Sequence, residues 1–320
     1  MNYLAIIRIL SFLGLALSAA MLAPFLTALV YGEADQAIGF AFAGSATAMV
    51  SAIIYLMSTR TDRRSHIKEA LAVCLFWYFL FPIPAAIPFV FGFAEMDFFL
   101  AWHEAVSCLT TTGHSPMNMS EIEWPVSLLV WRGMLHYIGM MISLITAASL
   151  FAALGLGGQG IYKSYLFTVP EKDFFDSVFR ALRIIFLLSS GFVFILWLSL
   201  ILLGVTASTS LSLAISVAST GLVDPSGYED LSLAPLPFLL ITLGLAVAAL
   251  GLGLLLNVKD WQMTHIWRDP IVYLFLMLIL SLTALAMLCG LAPHAGLAWA
   301  VSALSTSGLP LGLSNGELRE

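Results

Sequence analysis

Three hydroxyl-rich stretches, each closed by glycine, carry the residue types best suited to chemistry in this 320-residue chain. They are residues 105–113 (Ala-Val-Ser-Cys-Leu-Thr-Thr-Thr-Gly), 214–221 (Ala-Ile-Ser-Val-Ala-Ser-Thr-Gly) and 300–308 (Ala-Val-Ser-Ala-Leu-Ser-Thr-Ser-Gly). Hydroxyls, and carbonyls freed by a chain turn, are hard oxygen ligands; a ring of them can replace the hydration shell of a dehydrated monovalent cation. The candidate ligands are Thr111, Thr112, Gly113, Ser219, Thr220, Gly221, Thr306, Ser307 and Gly308, with Thr110 beside them. Taken singly, such a stretch is an ordinary helix end. Three copies, their glycines 108 and 87 residues apart, form an internal repeat of the kind found around membrane-centred sites.

Other reactive residue types point to no reaction. His103 and Glu104 begin like a zinc-protease motif, but Ser107 stands where the second histidine belongs. Cys74, Cys108 and Cys289 have no paired spacing and read as packing residues. His114 and His136 are either hydrogen-bonded packing residues or pH-sensitive groups. No phosphate loop, nucleophile elbow or carboxylate pair is present, so an enzyme is the weakest reading. Arg132 stands apart because it lies at one end of an apolar span, where an unpaired charge is costly. Its expected role is structural pairing with a carboxylate such as Glu104 or Glu123, with gating as the alternative.

The elements that must position these residues are set by composition. With 60% hydrophobic residues, 10% charged and a mean hydropathy of +0.98, the chain is too apolar for a soluble domain and belongs in a bilayer. Seven stretches, 4–30, 37–57, 69–93, 126–155, 177–204, 233–257 and 270–292, are long enough to cross about 30 Å of hydrocarbon. The predicted fold class is all-α and polytopic. Residues 4–30 exceed a signal-peptide core and lack a cleavage site, so they count as a span.

Lysine and arginine fall on alternate connections. Arg8, then Arg60, Arg63, Arg64 and Lys68, then Lys163, Lys172, Arg180 and Arg183, then Lys259 and Arg268 mark one side, which the positive-inside rule makes cytoplasmic together with the N-terminus. The connections 31–36, 92–125, 205–232 and 293–318 hold no Lys or Arg and carry Glu33, Asp35, Glu95, Asp97, Glu104, Glu121, Glu123, Asp224, Glu229, Asp230 and Glu317. An acidic outer face concentrates cations.

Between the spans, residues 97–109, 208–219 and 294–305 have the length of half-membrane helices. Such a segment must turn back, which is tolerated only where it is buried in protein or lines a water-filled cavity. Gly113, Gly221 and Gly308 are the expected turn residues, since glycine reaches positive φ without a Cβ penalty. Each incoming helix directs its negative end at the hydroxyl stretch. Gly244, Gly251 and Gly253 read as close helix packing. This layout of helix, re-entrant segment and helix is that of an ion-conducting pore.

On these residues the chain resembles the Trk/Ktr/HKT potassium transporters. His103, Glu104, Ala105, Val106 and Ser107 leading into Thr110, Thr111, Thr112 and Gly113 resemble that family's first filter, and residues 131–140 (Trp-Arg-Gly-Met-Leu-His-Tyr-Ile-Gly-Met) resemble the start of its next helix. Weaker matches occur at Ser219, Thr220 and Gly221 and at Ser305, Thr306, Ser307 and Gly308, and the two spans before residue 60 resemble an extra pair carried by some bacterial members. The resemblance implies helix-pore-helix repeats about a pseudo-fourfold axis, with a two-helix extension over 1–62, a first repeat over 63–157, a second over 158–258 and an incomplete third over 259–320. It implies potassium at Thr112, Gly113, Thr220, Gly221, Ser307 and Gly308, potassium uptake across a bacterial inner membrane, membrane lipid as solvent, and a homodimer. Transport is either symport with protons or sodium, or driven by the membrane potential alone. A cytosolic nucleotide-binding regulatory subunit is implied at the polar loop 156–176; no nucleotide motif lies in this chain, and nucleic acid is not among its implied partners.

Two departures shape the expectation. The second stretch is one residue shorter between Ser216 and Gly221 than its counterparts. Three repeats also leave a fourfold ring open, so Gly113, Gly221 and Gly308 are expected at three corners of a square whose fourth corner is empty or filled by another polypeptide. The chain is then a fragment, a subunit completed by a partner, or a non-conducting scaffold or regulatory relative of such a transporter. One glycine per filter also leaves fewer stacked carbonyl sites than a two-glycine signature, which leaves potassium against sodium selectivity open.

Overall fold

The computed structural model describes residues 3–58, 67–93, 96–117, 124–153, 174–224, 235–250 and 270–309. Every regular element among them is helical: α1 Tyr3–Ala20, α2 Leu22–Tyr31, α3 Ala34–Met57, α4 Ile67–Leu80, α5 Pro82–Gly92, α6 Phe98–Leu109, α7 Val126–Ala153, α8 Phe174–Leu202, α9 Ala207–Ser219, α10 Pro235–Ala249, α11 Pro270–Leu288 and α12 Pro293–Leu304. In lipid every backbone N–H and C=O must be satisfied within its own segment, which selects the helix. Leu26, Leu29, Val30, Phe42, Met49, Ile53 and Leu56 are exposed on the outside of these helices, as a hydrocarbon solvent requires. The molecule is an all-helical polytopic membrane protein.

Among the described residues, five helical stretches are long and apolar enough to cross a membrane: Tyr3–Tyr31, Ala34–Met57, Leu71–Gly92, Val126–Thr146 and Ile185–Leu202. The other two expected spans are met as far as the described residues reach: α10 lies within 233–257, whose remaining residues fall outside those described, and α11 runs unbroken for 19 residues within 270–292, about 28 Å. Two of the five spans are broken by proline. Pro24 lacks the N–H that would bond to Ala20 and its ring crowds that carbonyl, and the helix is interrupted at Met21. Pro82 and Pro84 divide α4 from α5 at Phe81 in the same way.

The chain forms two compact units, Met1–Arg183 and Ile184–Glu320, the division falling within α8. In the first, α1 and α3 approach closely through small residues: a Cβ on Gly14 would stand 2.2 Å from Ser51 Oγ, and Ser18 Oγ donates to the Gly44 carbonyl at 2.8 Å. Trp131 of α7 is fully buried, donates its indole N–H to the Ala85 carbonyl at 3.0 Å and meets Phe40 of α3 edge-on at 5.9 Å. The Glu33 carboxylate, in the α2–α3 connection, accepts the N–H groups of Val126 (2.7 Å) and Ser127 (3.1 Å) and so caps the positive end of α7. The second unit packs Leu196 and Leu200 of α8, Leu213 and Val217 of α9, Ile241 and Leu245 of α10 and Val301 of α12 into one apolar core.

Candidate cation filter

Three of the described helices, α6, α9 and α12, are 12, 13 and 12 residues long, about 18–20 Å each and too short to span. Their beginnings are built differently. Asp97 caps α6 by accepting the Leu100 N–H at 2.8 Å. Thr206 precedes α9, and Pro293 takes the first position of α12, where a missing N–H costs nothing.

Their ends are built identically. In the first, the Thr111 N–H donates to the Cys108 carbonyl (3.0 Å) and the Thr112 N–H to the Ser107 carbonyl (2.9 Å). In the second, Thr220 donates to Val217 (3.4 Å) and Gly221 to Ser216 (3.1 Å); in the third, Thr306 donates to Ala303 (3.2 Å) and Ser307 to Ser302 (3.1 Å). This pair of bonds is the Schellman motif, which demands a left-handed residue at its corner and normally finds glycine there. Here the corner is threonine every time: Thr111 at φ 58°, Thr220 at 50° and Thr306 at 57° are the three described non-glycine residues with positive φ. For a β-branched side chain this is an outlier costing about 1–2 kcal/mol at each site, and it recurs at the same place in three segments.

The expectation that glycine makes each turn is therefore corrected. Gly113 (φ 80°) and Gly308 (φ 66°) do adopt positive φ, but two residues after the corner threonine. Gly221 does not; Thr220 takes the left-handed conformation immediately before it, and the missing residue of the second stretch falls between corner and glycine. Aligned on their serines rather than their glycines, the stretches match: Thr111, Thr220 and Thr306 each lie four residues after Ser107, Ser216 and Ser302. That offset was the readable signal.

The chain leaving each turn is held from behind. Ser216 Oγ accepts the Val223 N–H at 3.1 Å, and Ser302 Oγ donates to the Leu309 carbonyl at 2.9 Å while lying 3.1 Å from Ser307 Oγ. The corresponding Ser107 hydroxyl is buried without a hydrogen-bond partner. An ion pair takes over: Arg132 and Glu104, both fully buried, are in direct contact, Arg132 Nη2 donates to the Gly113 carbonyl at 2.9 Å, and Ser115 Oγ donates to Glu104 Oε2 at 2.7 Å. The Trp124 ring covers the guanidinium at 5.1 Å. Glycine lets the following helices close on the turns. A Cβ on Gly139 of α7 would stand 2.2 Å from the Leu109 carbonyl oxygen, and one on Gly244 of α10 would stand 3.0 Å from Val217 Cγ1.

Of the turn residues, Thr110, Thr112, Thr306 and Gly308 are exposed and Thr111 and Thr220 half-buried, whereas Gly113, Ser219, Gly221 and Ser307 are buried. Thr110 and Thr112 hydroxyls lie 3.0 Å apart, the former donating to the Val106 carbonyl at 2.9 Å. Gly113 belongs to the first unit, Gly221 and Gly308 to the second.

Three of the carboxylates expected to face outward have structural roles: Glu33, half-buried, caps α7, Asp97, exposed, caps α6, and Glu104 is sealed against Arg132. Glu95, Glu121, Glu123, Glu229, Asp230 and Glu317, with loop residues 156–173, Gly251 and Gly253, lie outside the described residues. No group of three potential metal-ligating His, Cys, Asp or Glu occurs among the described residues.

No family model matches the chain. The Trk system potassium uptake protein TrkH of Salmonella typhimurium is 27% identical over 303 residues, covering 90% of this chain and 60% of its own length. TrkH of Escherichia coli strain K12 is 29% identical over 177 residues, 54% of this chain, and TrkG of the same organism 27% identical over 162. The crystal structure of the potassium transporter TrkH from Vibrio parahaemolyticus superposes with a TM-score of 0.76 at 20% identity, covering 96% of this chain and 64% of that one. The matched chain thus spans about three fifths of the length of the Salmonella typhimurium relative and of the Vibrio parahaemolyticus structure.

Proposed function

Because the chain is a homologue of the Trk-type proteins TrkH and TrkG, we propose that it takes up potassium across a bacterial cytoplasmic membrane, the three strained turns contributing oxygens to one cation path. The observation that carries this reading is the recurrence of left-handed threonine at one position of three half-helix ends. A helix end that served packing alone would use glycine there and save about 1–2 kcal/mol. A β-branched residue instead fixes the hydroxyl and the neighbouring carbonyls in one arrangement, so that little has to reorganise when a cation sheds its water.

In this proposal Thr111, Thr112, Gly113, Ser219, Thr220, Gly221, Thr306, Ser307 and Gly308 form the filter. The N-terminus and the Lys/Arg-bearing connections are cytoplasmic, and the turns open outward. The functional form is a homodimer with a cytosolic nucleotide-binding partner. The test is flux: the full chain reconstituted in liposomes is given a potassium gradient and rubidium-86 entry is followed. Saturable entry blocked by excess potassium supports transport. No entry by correctly folded protein sinks it and leaves the non-conducting scaffold as the reading.

A further inference from the structure

Among the described residues, the ion pair behind the first turn has no counterpart behind the other two. Glu104 lies three residues before Ser107; the same offset from Ser216 and Ser302 falls on Leu213 and Trp299. Arg132 lies seven residues before Gly139, and seven before Gly244 is Pro237. The second and third turns are held by neutral serine bonds, whereas the first is held by two opposed full charges, one of them 2.9 Å from a filter carbonyl. Burying two charges is expensive, and hydroxyls serve the same mechanical purpose elsewhere in this chain.

We propose that Arg132 and Glu104 are a positioning pair that sets the electrostatic field of the first turn, and with it the affinity and selectivity of the cation path; this rests on the reading of the turns as that path. Arg132 holds the Gly113 carbonyl through a charged hydrogen bond, and Glu104 holds Ser115, two residues further along, so the pair grips the returning strand at two points. While both charges are present their fields largely cancel at the turn. Removing one leaves the other uncompensated in a medium of low dielectric, close to where a cation would sit. A unit charge within about 10 Å at an effective dielectric constant near 20 shifts cation affinity on the order of tenfold.

The signs differ, and that separates a field from a scaffold. Glu104→Gln leaves a buried positive charge at the turn and raises the KM for potassium. Arg132→Gln leaves a buried negative charge and lowers it. The double variant returns KM to near its original value but discriminates poorly between potassium and sodium, because the Gly113 carbonyl has lost its fixed donor. Arg132→Lys keeps the charge and loses the planar fork, so its KM stays within about twofold while selectivity falls.

The experiment measures rubidium-86 uptake by the full chain in liposomes across a potassium range, with and without sodium, for the unaltered protein and these four variants. Opposite KM shifts in the two single variants are the expected result. Shifts of the same sign overturn the inference and leave the transport reading standing. Absence of flux in the unaltered chain sinks the transport reading and this inference with it. If the glutamine variants do not fold, Arg132→Lys decides the matter: unchanged potassium over sodium selectivity overturns the inference.

Discussion

Replacing Thr220 with glycine isolates the backbone cost of the repeated turn. Thr220 sits at φ 50° and ψ 38°, fully left-handed, and its neighbour Gly221 does not share the burden. An L-residue pays about 1–2 kcal/mol there that glycine avoids. Glycine's additional freedom in the unfolded chain takes back about 0.4–1 kcal/mol. The net expectation is a stabilisation of about 0.5–1 kcal/mol, a rise in Tm of about 1–3 °C for a chain of this size. The same substitution one residue earlier has the opposite sign: Ser219 is the last residue of α9, its hydroxyl donates to the Ile215 carbonyl at 2.7 Å, and glycine in a helix costs about 1 kcal/mol. Thr220→Val keeps the branching and the strain and removes only the hydroxyl, so its Tm should stay close to that of the unaltered protein. Thermal unfolding of the three variants in one detergent, followed by intrinsic tryptophan fluorescence, makes the comparison. A Thr220→Gly protein that melts as low as Ser219→Gly would refute the claim that the corner is strained.

Four further outcomes are expected. Gly139→Ala should lower Tm and disrupt uptake together, because its Cβ meets backbone atoms of Leu109 that cannot swing aside, at an overpacking cost of about 1–3 kcal/mol; Gly113→Val, at φ 80°, should abolish rubidium uptake while protein of normal size is still recovered by gel filtration. Ser302→Ala should destabilise by about 1 kcal/mol in a melting assay through loss of the bond to Leu309, whereas Ser107→Ala, which removes a buried hydroxyl without a partner, should be neutral or slightly stabilising. In a protein with exposed Cys289 replaced by serine, Tyr31→Cys should react with an impermeant thiol reagent added outside cells and Met57→Cys only after permeabilisation, since these exposed residues end α2 and α3 on opposite sides of the proposed topology; the reverse pattern would invert the pore.

The half-helices were legible in the sequence because length alone constrains them. A 12-residue apolar stretch between long spans cannot cross, and the observed ends at Leu109, Ser219 and Leu304 lie within a residue of those read from the pattern. The turn conformation was not legible from composition, because propensity assigns positive φ to glycine and three glycines were at hand. What decided it was the spacing from serine, which fixes the Schellman bonds and hence which residue must be left-handed. The partner of Arg132 was half legible. A buried arginine needs a carboxylate, but the choice of Glu104 depends on its facing inward one turn before Ser107, which emerges only when α6 packs on α7. The jobs of Glu33 and Asp97 were invisible for a similar reason: a count of outward carboxylates cannot distinguish a helix cap from a surface charge.

The Glu33 cap also has a schedule. Its carboxylate and the Val126 N–H it accepts are 93 residues apart in the chain, so at a synthesis rate of about 5–20 residues per second the acceptor is made roughly 5–20 s before its donor exists. The connection between the first two spans is thus complete before the helix carrying Arg132 emerges, and it presents a ready acceptor to the first backbone N–H groups of that helix.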